Sequence, residues 1–309
     1  MLSSPRVATA TTNRIIFVPG KNPKPPAAEY REQLFRCLVH GVGRADPDAA
    51  HAIESAPDRF TLIPWNALYY GGEKPLGPDR PWIDALLTRT GPTEDEVREA
   101  LSWRRKAAWA MISVADLLPI LIPLLPDPAV KSTIQETARY FADADGIGTR
   151  VREMLKAPLR GMMERGERVL LIGHSMGSVI AYDALWELWH VAGRRERIDT
   201  FLTTGSPLGM HFAQKRLLGA RERGARKYPG NIRHWLNIAA QGDLAALDAT
   251  LSDDYAPMRS FGQIEKIADI DSGIFNYFRN AEGLNVHRSY GYLANPRVGE
   301  VIAKWWRGD

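Results

Sequence analysis

A serine between two glycines, in Gly173-His174-Ser175-Met176-Gly177, is the stretch of this chain best suited to covalent chemistry. It follows the apolar run Val169-Leu170-Leu171-Ile172 and leads into the helix-compatible Ser178-Val179-Ile180-Ala181. A strand, an abrupt turn and a helix together lift a serine hydroxyl out at the end of a parallel sheet. The serine must take strained backbone angles there, and side chains at Gly173 or Gly177 would collide with the neighbouring strand and helix as the chain reverses. The stretch therefore reads as a nucleophile elbow with Ser175 as the nucleophile. A hydroxyl attacks poorly until a base takes its proton, and that base needs a carboxylate to hold its tautomer. The chain must supply a histidine and an Asp or Glu. His174 sits inside the turn, where it shapes the pocket or packs beneath it. Ser206 is a rival nucleophile by type only, because it lacks the flanking elbow, and it reads as a strand-end or pocket residue. The remaining histidines show no ligand spacing, so no metal site is expected.

The elements around this turn alternate. Strands are expected at residues 14–18, 60–65, 169–172, 198–204 and 234–238, and a short one at 284–286. Helices are expected at 27–38, 176–191, ending at Gly193, and 298–306, after Pro296. The alternation argues for an α/β fold whose mostly parallel, doubly wound sheet is covered on both faces. The interval from Gly71 to Gly166 is long for one crossover, and we read 71–160 as a helical insertion or cap within a single domain spanning 1–309. Within it, Thr93 and Glu96 have capping-box spacing for a helix that runs past Trp103 and Trp109 to Pro119, and further helices are expected at 129–144 and 147–164. Residues 117–126 are wholly apolar but ten long and broken by three prolines, too short to span a membrane. They read either as a lid or acyl-binding wall that makes transient contact with a membrane surface, or as an irregular piece of core. Residues 256–278 carry no clear assignment.

The 309 residues are 45% hydrophobic and 25% charged, ordinary for a globular chain with a sizeable core. A net charge of +4 is too small an excess over this length to imply nucleic acid. The basic stretch 215–227 lacks interleaved aromatics and reads as a solvated loop. Cys37, the single cysteine, excludes an intrachain disulfide. The first ten residues lack a continuous apolar run, which points to the cytoplasm. Oligomeric state is not legible.

The local strings resemble one family. Trp235-Leu236-Asn237 followed by Asp243 resembles the acid loop, and His287-Arg288-Ser289-Tyr290 the histidine loop, of the α/β-hydrolase superfamily, nearest to bacterial serine lipases and esterases. Gly205-Ser206-Pro207-Leu208 resembles the segment after the strand next to the elbow. The resemblance runs from about Arg14 to the C-terminus with the long insertion unmatched. It implies the triad order Ser175, Asp243, His287, with Asp243 preferred to Asp248, Asp253, Asp254, Asp269 and Asp271. It further implies an oxyanion site made by the amide of Met176 and one from the loop after the first strand. Relatives often carry His-Gly in that loop, whereas this chain has Pro19-Gly20-Lys21-Asn22. Proline has no amide hydrogen, which leaves Gly20 or Lys21. Leu118, Leu121, Ser206 and Leu208 are the expected substrate contacts. The implied activity is cleavage of a small-molecule ester or lipid through an acyl-enzyme, with no cofactor. Acyl transfer, thioester or peptide cleavage by the same triad, or a non-catalytic lipid- or partner-binding scaffold, remain open alternatives.

Overall fold

Runs of Ile, Leu, Val and Phe that are apolar at consecutive positions suit strands buried on both faces, and such strands build parallel sheets. In the computed structural model, which describes residues 11–117, 136–246, 248–270 and 274–309, they do so. β1 (Asn13–Val18), β2 (Phe60–Leu62), β3 (Arg168–His174), β4 (Ile198–Thr204), β5 (Ile232–Ile238) and β6 (Lys266–Asp269) form one all-parallel sheet. The order is β2-β1-β3-β4-β5-β6. Two-residue strands β7 (Arg279–Asn280) and β8 (Gly283–Leu284) form a separate antiparallel pair. The helices are α1 (Ala27–Ala45), α2 (Pro47–Glu54), α3 (Trp65–Tyr70), α4 (Arg80–Leu87), α5 (Glu94–Ala100), α6 (Trp103–Leu117) and α7, of which 136–141 are described. They continue with α8 (Ile147–Glu164), α9 (Met176–His190), α10 (His211–Gln214), α11 (Leu251–Asp254), α12 (Pro257–Ser260), α13 (Ser289–Leu293) and α14 (Pro296–Arg307).

Alternate residues of the central strands feed two cores. Ile16, Val18, Val169 and Leu171 pack with Val151, Leu155 and Leu159 of α8 and Val179 and Ile180 of α9. Ile15, Phe17, Leu170 and Ile172 pack with Leu34 and Leu38 of α1 and Val298 and Ile302 of α14. α1 and α14 touch backbone to backbone, since a Cβ on Gly299 would lie 2.7 Å from the Val42 nitrogen. From β1 the chain steps outward to β2, then crosses back to β3 and proceeds the other way to β6. The loops leaving β1 and β3 therefore part at their C-terminal ends, opening the crevice where ligands bind in doubly wound sheets.

Several sequence expectations are corrected. The strand expected at 60–65 stops at Leu62, because Pro64 turns the chain and Trp65 begins α3. The capping box of Thr93 and Glu96 forms as expected, but the single helix expected beyond it is two, α5 ending at Ala100 and α6 starting at Trp103. Part of the helix expected at 129–144, residues 129–135, lies outside the described residues, as does most of 117–126. The segment 71–160 is no uniform insertion: from Ile147 it is α8, whose buried face belongs to the main core against β3 and α9. The short strand expected at 284–286 is the β7–β8 hairpin, apart from the sheet. The unassigned interval contains β6, the sheet's edge strand.

Candidate active site

The turn after β3 has the geometry its glycines suggest. Ser175 takes φ 54° and ψ −128°, a conformation that costs a non-glycine residue on the order of 1–3 kcal/mol. A Cβ on Gly173 would lie 2.6 Å from the Ser178 Cα, and one on Gly177 would lie 2.6 Å from the Pro19 carbonyl oxygen. The serine backbone is held from both sides. Its amide donates to the Thr204 carbonyl (3.0 Å), while its carbonyl accepts from the Ser178 amide (2.9 Å) and hydroxyl (2.6 Å).

His287 and Asp243 reach this serine from loops far along the chain. The Ser175 Oγ lies 2.8 Å from His287 Nε2, and His287 Nδ1 lies 2.8 Å from Asp243 Oδ2. Asp243 has a fully buried side chain. Its Oδ2 also accepts from the Tyr292 hydroxyl at 2.6 Å, and its Oδ1 from the Ala245 amide at 2.9 Å. Burial alone would push this carboxyl up; the adjacent His287 ring and the three hydrogen bonds outweigh it and hold the group below its ordinary value, so it is a carboxylate. An acceptor-only carboxylate at Nδ1 assigns the proton there to the histidine, which leaves Nε2 free to accept from the serine hydroxyl.

The alternative acids are occupied elsewhere. Asp269 accepts from Asn237 and from the Leu251 and Ser252 amides, tying the end of β5 to β6 and α11. Asp248 caps Thr250 within its own loop, Asp254 accepts from Gln214, and Asp253 accepts from the Asp254 amide. Asp271 lies outside the described residues.

Two further side chains steady the triad: His174, expected to shape the pocket or pack beneath it, and Tyr292, which has no local sequence signal. His174 Nε2 lies 2.8 Å from the His287 carbonyl oxygen, and a carbonyl can only accept, so Nε2 carries a proton. Burial, then the His287 and Lys24 charges, hold this ring well below its ordinary pKa, so it is neutral. Tyr292, not Tyr290 of the histidine-loop string, contacts the acid. Tyr290 instead packs edge-on to Tyr30 in the α1 core.

The loop after β1 passes directly over the serine: a Cβ on Gly20 would come within 2.8 Å of Ser175 Cβ. Its carbonyls are drawn the other way. Trp65 Nε1 donates to Pro19 (2.8 Å), Asn66 Nδ2 to Gly20 (2.8 Å) and Asn22 (2.9 Å), and Lys24 Nζ to Lys21 (2.7 Å). A trans peptide points its N–H opposite its C=O, so these bonds turn the Gly20 and Lys21 amides away from α3. Met176, first residue of α9, has an amide without an intrahelical acceptor.

No family model, curated protein or solved structure matches the chain. Its chemistry rests on the geometry.

A cavity of about 470 Å³ opens beside Ser175 and His287, walled by Ile112, Met210, Phe212, Leu284 and Val286 and by Met176 and Lys21. Two of the expected substrate contacts are displaced from it. Ser206 is buried and bonded to Ser178 (2.7 Å) and the Leu208 amide (3.2 Å), and Leu208 is fully buried in the core. The reason is the 3-10 turn at Pro207–Gly209, which points Ser206 at its own backbone and leaves Pro207 on the cavity wall. Leu118 and Leu121 lie outside the described residues. Larger still is a groove of about 820 Å³ around Arg168, Arg233 and Trp305, but none of Ser175, His287 or Asp243 lines it. Among the described residues no helix is long and apolar enough to cross a membrane, and no group of three metal-ligating side chains forms.

Proposed function

We propose that this chain is a serine hydrolase of the α/β-hydrolase type that cleaves a carboxylic ester through an acyl-enzyme. The observation that carries the reading is the unbroken hydrogen-bond chain from Ser175 Oγ through His287 to buried Asp243, set on a strained turn at the mouth of a cavity. Ser175 Oγ attacks the ester carbonyl carbon as its proton passes to His287 Nε2. The oxyanion is held by the Met176 amide and by Gly20 or Lys21, whose backbone α3 orients from behind. His287 then returns the proton to the departing alcohol oxygen, leaving the acyl group on Ser175. A water loses its proton to His287, attacks the acyl carbon and releases the acid, and the proton returns to Ser175. Asp243 keeps the imidazole in the required tautomer and stabilises the imidazolium throughout.

The test is labelling with a fluorophosphonate and turnover of chromogenic esters of graded chain length, on the wild type and on Ser175→Ala. Labelling and turnover should both vanish in the variant. Turnover that survives the substitution refutes the mechanism, and a wild type that neither labels nor turns over refutes the enzyme reading in favour of a binding scaffold.

A further inference from the structure

The cavity beside Ser175 is mostly apolar, yet two cations, Lys21 and Arg105, line it. Lys21 has Glu136 within 4.0 Å. Arg105, half-buried on α6, differs. Its Nη1 donates to the Gly242 carbonyl (3.2 Å) and its Nη2 to the Leu284 carbonyl (3.0 Å), and among the described residues it has no ion-pair partner. Carbonyls satisfy N–H groups without neutralising them, so among the described residues its positive charge has no paired carboxylate in a mostly apolar wall. These two bonds use two of the guanidinium's five donors. The carboxylates lining the same cavity are Asp243, already engaged by His287 and Tyr292, and Glu282, which is exposed.

The position is informative too. Gly242 immediately precedes Asp243, and Leu284 lies on the hairpin leading to His287, so the guanidinium stands between the two loops that meet at Ser175. A charge held there by fixed carbonyls in a partly buried wall interacts more strongly with a ligand than one on the surface. Resting on the hydrolase reading above, we infer that Arg105 is a specificity residue that binds an anionic group on the substrate. The preferred esters are then amphiphiles with an apolar portion and one carboxylate or phosphate.

Three chromogenic esters of equal chain length test this, one ending in methyl, one in a carboxylate and one in a phosphate monoester. Their kcat/KM values are compared on the wild type, Arg105→Gln and Arg105→Lys. The wild type should favour a charged ester over the neutral one, and the better of the two identifies the anion. Arg105→Gln can still donate to a backbone carbonyl but has no charge; its preference should fall by about tenfold to a hundredfold, mainly through KM. Arg105→Lys should retain most of it. An equal loss on all three esters with the ratio unchanged is what a purely positioning residue gives, and it overturns the inference, as does a wild type that favours the neutral ester. Glu282→Gln, on an exposed side chain with no part in the fold's core, serves if the Arg105 variants fail to fold. Removing its competing charge should raise the preference by about two- to threefold, and an unchanged or lower ratio counts against the inference. Absence of both ester turnover and Ser175 labelling is a distinct outcome, since it defeats the hydrolase reading itself.

Discussion

Removal of one oxygen atom, in Tyr292→Phe, tests how the acid is held. The Tyr292 hydroxyl donates to Asp243 Oδ2 at 2.6 Å and accepts from the buried Ala240 amide at 2.8 Å. Loss of a hydrogen bond to a charged group costs about 1.5–3 kcal/mol, and an orphaned buried amide about 1–3 kcal/mol. The two overlap, so the expected destabilisation is about 2–5 kcal/mol, which a domain of ordinary stability survives. The pH effect has a definite sign. Because the folded-state value of Asp243 is depressed, its contribution to stability is present above the unfolded carboxylate value and is lost as pH falls through the folded one. Tyr292→Phe raises that folded value, so acid unfolding should begin at a higher pH. Asp243 keeps its bonds to His287 and Ala245, so kcat should drop by about tenfold, against the roughly ten-thousandfold loss that follows when such an acid is neutralised outright. The assays are urea denaturation at several pH values and ester turnover across the same range. Wild-type stability with an unmoved acid midpoint would show that the hydroxyl carries none of this load.

Two other predictions probe separate parts of the structure. Asn66→Ala leaves the Gly20 and Asn22 carbonyls unpaired and frees the loop above Ser175; ester turnover should show kcat lowered by about a hundredfold with KM little changed, the pattern of a lost oxyanion donor, and a change confined to KM would contradict it. Asp183 of α9 is fully buried, and burial pushes its carboxyl up to about 7 against the Leu218 amide and Arg152 that draw it down. The folded chain then keeps a proton that the unfolded chain releases near pH 4, so this group makes stability fall as pH rises toward about 7, by on the order of 4 kcal/mol. Asp183→Asn should flatten that slope in thermal melts and exceed the wild type above about pH 7; a slope that persists refutes the assignment.

The legible parts of this molecule are those whose cause is local. Val169-Leu170-Leu171-Ile172 had to be a strand covered on both faces, and Leu170 and Leu171 do enter opposite cores. Thr93 and Glu96 form their capping box because it needs four consecutive residues and nothing else. Elements with weak local signals are not legible in the sequence. β6 is a four-residue edge strand with polar ends, too short to show a period. The break at Leu101 and Ser102 carries no Gly or Pro; it forms where the end of α5 packs on the acid loop, leaving a Cβ on Gly242 only 2.5 Å from the Ala100 carbonyl oxygen.

The sequence by itself determined the strand–turn–helix around Ser175, because a serine at that reversal needs glycines two positions away on each side. It also determined the parallel sheet that carries the turn. The local strings pointed to Asp243 and His287, but that these side chains meet the serine, and which tyrosine and which cation stand around them, was decided only by tertiary structure. His287 lies 112 positions from Ser175, Asp243 lies 44 from His287, and Arg105 lies 137 from Gly242. No local pattern spans such distances. A parallel sheet brings the C-terminal ends of its strands to one edge, so the loops after β1, β3 and β5 and the one following the β7–β8 hairpin converge there, and packing then sets which of their side chains meet.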